Sequence, residues 1–279
     1  MKLRGKEFRT AYSNMDADSM HTLVQEYLSQ RPENRQPLAT NASPISSDVN
    51  SNSGAVGVTL DIQQPIDSKF QKYHLAHLEQ TTKRVEWFNK TYPKLPAAKV
   101  IVSECGVANA FYIRAERTIK LCYEFDHYIS QSIAVDLPKL VAVSGGRVPE
   151  RAYMAFVFLH EVGHLLADGR PTMGREEDVA DQIAVMHMHP KTFATAALVV
   201  TVIHKAKAPS LAQYSDSHTV DGARGANLVC WMYGKSPVEF AGFEDVFSKF
   251  VVTKARLRGC AEEYTKIKTG AAVLVKPYR

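Results

Sequence analysis

The chain has 279 residues, 45% of them apolar, and a net charge of +5 at pH 7, enough to bury one substantial core with or without appendages. Its basic residues are scattered, with neither blocks of like charge nor aromatic–basic alternation, so nucleic acid is not an expected partner. No apolar run reaches the roughly 18 residues of a membrane span, Ala194–His204 coming nearest, and none is expected.

The N-terminus, MKLRGKEFRTAYSN, is basic but has no apolar h-region, so no signal peptide is recognisable. Asp16–Gln30 spaces Met20, Leu23, Val24, Tyr27 and Leu28 as one short amphipathic helix would. Residues 31–57 are rich in Ser, Asn, Pro and Gly, hold little to bury, and read as a linker. Residues 1–66 are thus expected to be a largely disordered leader, and 67–279 the folded domain. Within it, Asp67–Tyr92 carries a helical stripe (Phe70, Tyr73, His74, His77, Leu78, Val85, Phe88) that stops before Pro93. Its two histidines read as core or surface residues rather than ligands. Lys99–Ser103 is a short strand. Two further strands follow around the polar turn Arg114–Thr118. Tyr128–Leu140 reads as a helix interrupted at Pro138, and Ser144-Gly145-Gly146 leads to the stretch that carries the chemistry.

That stretch is Tyr153–Asp181. Its first half is an apolar helix about four turns long, ended by Asp168-Gly169 and Pro171, and it contains His160-Glu161-Val162-Gly163-His164. Histidines at i and i+4 share a helix face about 5–6 Å apart at Cβ, so both imidazoles can reach one metal ion. Glu161 beside them suits the base that takes a proton from water, while zinc lowers that water's pKa to about 7. Burying two histidines and a glutamate among Phe156, Val157, Phe158, Leu159, Leu165 and Leu166 without a ligand would be costly. A third ligand is required. The third-His pattern is absent, its positions being Ala167 and Arg170; instead Gly174-Arg175-Glu176-Glu177-Asp178-Val179-Ala180-Asp181 opens a second helix. Acids there also suit the helix dipole.

Pro190–Lys207 is another apolar helix, preceded by His187 and His189 at a helix junction, where they are not expected to bind the main-site metal. Tyr214–Gly234 reads as a polar loop, and Arg256–Lys268 as a helix closing the domain around Cys260. The four cysteines form no CxxC. Cys105–Cys122 and Cys230–Cys260 are the attractive disulfides, with four free thiols as the alternative. A hairpin centred near Glu116 would put Ala110 opposite Cys122, so the first bridge would require the chain to bend back at Gly106.

The ExxxD of Glu177 and Asp181 resembles the gluzincin arrangement. That resemblance implies ligands His160, His164 and Glu177, with Asp181 hydrogen-bonding His160. Glu177 is favoured over Glu176 because only Glu177 has Asp at i+4; the other register stays open. It further implies an oxyanion donor in the downstream loop, His218 set by Asp216, with Arg224 structural or a contact for a substrate carboxylate. Asn109-Ala110-Phe111-Tyr112 is similar to the substrate strand of thermolysin-like enzymes, which implies that Asn109, Ala110 and Tyr112 hold substrate as an added strand. An ordinary core hairpin is the other reading. Taken together, ANAFY, FVFLHEVGHLL, GREEDVADQ, the DSH…R…CW.YG stretch and the late CAEEY resemble, over about residues 98–265, a bacterial family of metallopeptidases of unknown function.

The expectation is an α+β, zincin-like domain, mostly helical, with a small N-terminal sheet and an HExxH helix. It would bind one Zn2+ per chain and cleave peptide or protein substrates. A zinc hydrolase of another amide, such as a peptidoglycan stem, and an inactive zincin-fold binding or effector protein are the alternatives. Disulfides would imply a secreted or periplasmic protein; the missing signal peptide points to a delivered effector or a cytoplasmic one. Oligomeric state is left open.

Overall fold

The computed structural model describes residues 56–143, 148–172, 174–204, 221–240 and 252–279. Four strands, β1 (Val58–Ile62), β2 (Ala98–Ser103), β3 (Ala110–Ile113) and β4 (Thr118–Cys122), form one sheet in the order β1-β2-β4-β3. β1 and β4 both run parallel to β2, and β3 closes antiparallel on β4 as an edge. β1 lies ahead of residue 67, where composition puts the start of the folded domain. Its five residues alternate, with Val58 buried and Thr59 and Asp61 exposed. That signal is short enough to be lost beside a polar linker.

A 3-10 turn at Ser68–Phe70, capped by Asp67 on the Lys69 N–H, leads into α1 (Gln71–Thr91). α1 lays Tyr73, Val85 and Phe88 into the core. Asn89 ties it to β1, accepting the Val58 N–H at 2.7 Å and donating to the Val58 carbonyl at 2.9 Å. His74 and His77 are buried in hydrogen bonds to Tyr123 (3.0 Å) and to Thr81 and Asp126 (2.8 and 3.0 Å). Both are core histidines.

The hairpin turns through a 3-10 turn at Arg114–Glu116, with Arg117 left-handed at φ +48°. Its register sets Ala110 opposite Leu121. Cys105 is nonetheless bonded to Cys122, with a Cα separation of 5.5 Å. The bridge comes from the other side of β4: β2 is its parallel neighbour, Ser103 lies opposite Cys122, and Cys105 is two residues past the end of β2. Glu124 holds that corner by accepting the Cys105 and Gly106 N–H groups at 2.9 and 2.7 Å.

α2 (Tyr123–Ile133) begins directly after β4, and α3 (Leu137–Val143) carries Pro138 in its first turn, where a missing N–H costs no helical bond. α4 (Pro149–Ala167) starts at Pro149 rather than near Tyr153. Of its side chains only Arg151 is exposed. It is apolar all round because it is the central element, packed on α5 (Glu176–His187), α6 (Pro190–His204) and strands β3 and β4. Phe156, Phe158, Leu165 and Leu166 are essentially fully buried. At roughly 1.5–3 kcal/mol for each such side chain, this apolar burial helps to offset the polar groups buried on the same helix.

α7 (Asp221–Lys235) corrects the expectation of a loop as far as Gly234. Gly234, which reads as a loop residue, is a packing position: a Cβ there would lie 2.1 Å from the carbonyl oxygen of Cys260. The Cys230–Cys260 disulfide joins the same two helices, α7 and α10 (Cys260–Val275), with a Cα separation of 5.1 Å. Between them lie the short α8 (Pro237–Phe240) and α9 (Lys254–Leu257). Among the described residues, no helix is long and apolar enough to cross a membrane.

Candidate metal centre

α4 and α5 pack against each other most closely at Gly163 and Ala180, which places the acids of α5 beside the histidines of α4. A Cβ on Gly163 would lie 2.6 Å from the Ala180 Cα and 2.8 Å from its carbonyl oxygen. Glycine is therefore required for the two backbones to come this close. On α5, Glu177 and Asp181 lie three residues before and one residue after Ala180, so this contact carries both to the histidines of α4.

His160 Nε2, His164 Nε2 and a Glu177 oxygen converge on one point. The two nitrogens are 3.2 Å apart, and Glu177 Oε2 lies 3.1 Å from the first and 3.5 Å from the second. Zinc–nitrogen and zinc–oxygen bonds of about 2.0–2.1 Å in a tetrahedron give ligand–ligand edges of about 3.3–3.4 Å. The three observed edges bracket that value, so these residues fit one tetrahedral cation, and they form a candidate metal-binding group. The other such cluster, Cys105, Cys122 and Glu124, has its cysteines in a disulfide and offers no thiolate.

The outward nitrogen of each histidine is held by a carboxylate. His160 Nδ1 lies 2.7 Å from Asp181 Oδ1, and His164 Nδ1 lies 3.0 Å from Glu176 Oε1. An ionised carboxylate only accepts, so each Nδ1 carries a proton, which leaves each Nε2 to face inward. Behind each carboxylate stands an arginine. Arg224 grips Asp181 with two parallel bonds, Nε to Oδ2 at 2.8 Å and Nη2 to Oδ1 at 2.7 Å. Arg114 Nη2 lies 2.8 Å from both oxygens of Glu176.

The electrostatics follow. Burial would push Asp181 up, but Arg224 and then His160 outweigh it and hold the carboxyl at about 2. Burial also opposes charge on His164, yet its bonds to Glu177 and Glu176 raise it to about 9. His160 is raised against its burial by Asp181 and Glu177. Three inward lone pairs surrounded by acids demand a positive charge at their centre. A proton or a metal ion would meet that demand.

The centre lies on the wall of a cleft of about 720 Å³. Asn109, Ala110, Phe111 and Tyr112 of the β3 edge also line it, together with Phe125, Tyr153, Phe156, Glu161 and Arg224. Glu161 is buried, and its charge adds to the field that raises His164. The Asn109 side chain accepts its neighbour's N–H at 2.9 Å. The Tyr112 hydroxyl donates to Asp168 at 2.9 Å, and Asp168 also pairs with Arg114 (3.0 Å) and Arg117 (3.2 Å). Asp168 lies directly after α4, so the hairpin is tied to the end of the helix that carries the histidines.

The structure thus brings together His160, Glu161, His164, Glu177, Asp181, Arg224, Asn109, Ala110 and Tyr112. His218 and Asp216 lie outside the described residues. His187, expected not to serve this site, is bonded to Tyr92 and to the Ile183 carbonyl, among neighbours separate from the cleft. Two roles escaped the sequence. Glu176, expected to suit the helix dipole or to be the alternative third ligand, instead orients the second histidine, and Arg114 holds Glu176. Adjacent acids opposite a pair of histidines carried the first signal; nothing local marked Arg114, whose partner is 62 residues away.

The model of a family described as putative metallopeptidase matches residues 63–274. No curated protein and no solved structure matches the chain.

Proposed function

The chain belongs to that family of putative metallopeptidases, and we propose that it is a zinc-dependent endopeptidase of gluzincin type with a zincin-like catalytic domain. One observation carries this reading: the inward edges of 3.1–3.5 Å among His160, His164 and Glu177, in a cleft that also contains Glu161 and a free sheet edge. His160, His164 and Glu177 would hold one zinc ion per chain. Zinc would supply Lewis acidity, polarising the scissile carbonyl and lowering the pKa of water to about 7.

The remaining work falls to the chain's own side chains. Asp181 and Glu176 keep the histidine Nδ1 protons in place, so that the Nε2 lone pairs stay aimed inward. Glu161 accepts a proton from the attacking water and delivers it to the leaving amine, a role commonly worth about 10²–10⁴ in rate. An extended peptide pairs with β3 through its backbone, with Asn109, Ala110 and Tyr112 along its path. His218, set by Asp216, donates to the developing oxyanion. Arg224 directs two nitrogens at Asp181, which supports a structural role over a contact with a substrate carboxylate. The two disulfides support an oxidising, extracytoplasmic home.

The test compares wild type with Glu161→Gln. Both should contain about one zinc per chain, and only wild type should cleave the best peptide from a library screen. Equal cleavage by the two would overturn the mechanism.

A further inference from the structure

The one-turn spacing that aligns His160 with His164 has a third step. Asp168 stands four residues beyond His164, directly after α4, and it faces the β3–β4 hairpin. Its carboxylate accepts the Tyr112 hydroxyl at 2.9 Å, Arg114 Nε at 3.0 Å and Arg117 Nη1 at 3.2 Å. These donors come from β3, from the turn and from the residue that closes the turn. One carboxylate, 13% exposed, therefore gathers the whole tip of the hairpin. Two features of that tip are unfavourable in themselves. Among the described residues, Arg117 is the one non-glycine residue with a left-handed backbone, at φ +48°. Its Nη2 is also buried with no hydrogen-bond partner. Such features persist only where the surroundings over-determine them, and they gather at functional sites. Here the surroundings are Asp168 and the Ala97 carbonyl, which accepts Arg117 Nε at 3.1 Å. Burial and then Asp168 push the Tyr112 hydroxyl above the usual tyrosine range, so it stays a donor.

A tie that served stability alone could be made anywhere along the hairpin. This one starts one helical turn beyond His164 and ends on Tyr112, which lines the cleft beside the metal group. We propose that Asp168 is a positioning residue: by gathering Tyr112, Arg114 and Arg117 it fixes the β3 edge at the distance from His160 and His164 where a peptide lying on that edge presents its scissile bond to the centre. This role rests on the peptidase reading, in which an extended peptide pairs with β3. Without the carboxylate, Arg117 loses its counter-charge and the Tyr112 hydroxyl its acceptor, which frees the hairpin tip from the end of α4. A misplacement of about 1 Å in a reacting group is enough to lower a rate by roughly 100-fold.

The test compares two substrates of the full chain at saturating zinc: an extended peptide from a library screen, and a truncated form that keeps the scissile bond but is too short to pair along β3. The ratio of their kcat/KM values reads the edge alone, because a loss of folded or metal-loaded protein lowers both values equally. Wild type should favour the extended peptide. Asp168→Asn keeps the side chain's shape and removes its charge; it should lower that preference by about tenfold. Tyr112→Phe, which removes one of the three bonds, should lower it several-fold. An undiminished preference in folded Asp168→Asn overturns the proposal, and so does a wild type that cleaves both peptides equally well. Should Asp168→Asn fail to fold, Tyr112→Phe decides by the same criterion. Cleavage of neither peptide by wild type is a distinct result: it overturns the peptidase reading, and the role of Asp168 falls with it.

Discussion

The two histidine–carboxylate–arginine lines predict a ranking of metal affinities. Partners that orient a metal-bound histidine are commonly worth 10–100-fold in affinity, about 1.4–2.8 kcal/mol. Burial decides where each carboxylate falls in that range. The Asp181 side chain is 4% exposed and forked by Arg224, so Asp181→Ala belongs near 100-fold. The Glu176 side chain is 36% exposed, and solvent screens its bond to His164, so Glu176→Ala belongs near tenfold. Arg114, 60% exposed and one step further out, should be worth at most about 1 kcal/mol, or roughly fivefold. Glu177→Ala, removing a donor, should exceed all three. Zinc affinity measured by competition with a chromophoric chelator reads each variant directly, without reference to activity. Arg114→Ala should have a smaller effect in a Glu176→Ala background, because part of its effect travels through that carboxylate and the rest through Asp168. Wild-type affinity in Glu176→Ala would refute the reasoning. So would an Arg114→Ala effect that persists undiminished without Glu176.

Gly163→Ala should destabilise the chain by about 1–3 kcal/mol through overpacking against Ala180, although Ala is the better helix former, and it should weaken zinc binding as well; a lower urea midpoint with reduced metal content is the expected pair of readings, and a more stable variant with full affinity would count against the contact. Non-reducing peptide mapping should recover Cys105 linked to Cys122 and Cys230 linked to Cys260, and four alkylatable thiols after oxidative expression would remove the argument for an extracytoplasmic protein.

Much of the fold was legible because the long elements carry strong periodic signals. The helix at 71–91, the strand at 98–103 and the hairpin around Glu116 stand close to where the pattern put them. The departures share a cause: short-range signals mislead where long-range packing decides. β1 is five residues long and derives its stability from β2 and Asn89, neither adjacent to it in sequence. Gly234 argued for a loop because glycine disfavours helices when nothing approaches it; Cys260, brought close by α10, reverses that argument. The hairpin alone sets Cys105 far from Cys122, whereas the strand that carries Cys122 has a second neighbour, β2.

The pairing of residues in the candidate site is legible in the sequence for a related reason. Metal chemistry imposes spacing within single helices, and spacing within a helix is what a sequence records. His160 and His164 share a face at i and i+4, as do Glu177 and Asp181, and each pair needs only its own helix to be understood. What joins the pairs is less visible: Gly163 and Ala180 are small residues with no chemistry of their own, yet their contact sets how close the acids of α5 come to the histidines of α4. Glu176 was lost at this step. Two successive helical residues point about 100° apart, so if Glu177 faces the inward nitrogens, its neighbour turns towards the flank of the same histidine pair. There it meets His164 Nδ1 at 3.0 Å, with Arg114 of the β3–β4 hairpin behind it. Whatever shifts the β3 hairpin therefore acts on a carboxylate that orients His164, so the sheet edge and the histidine pair are mechanically joined through Glu176.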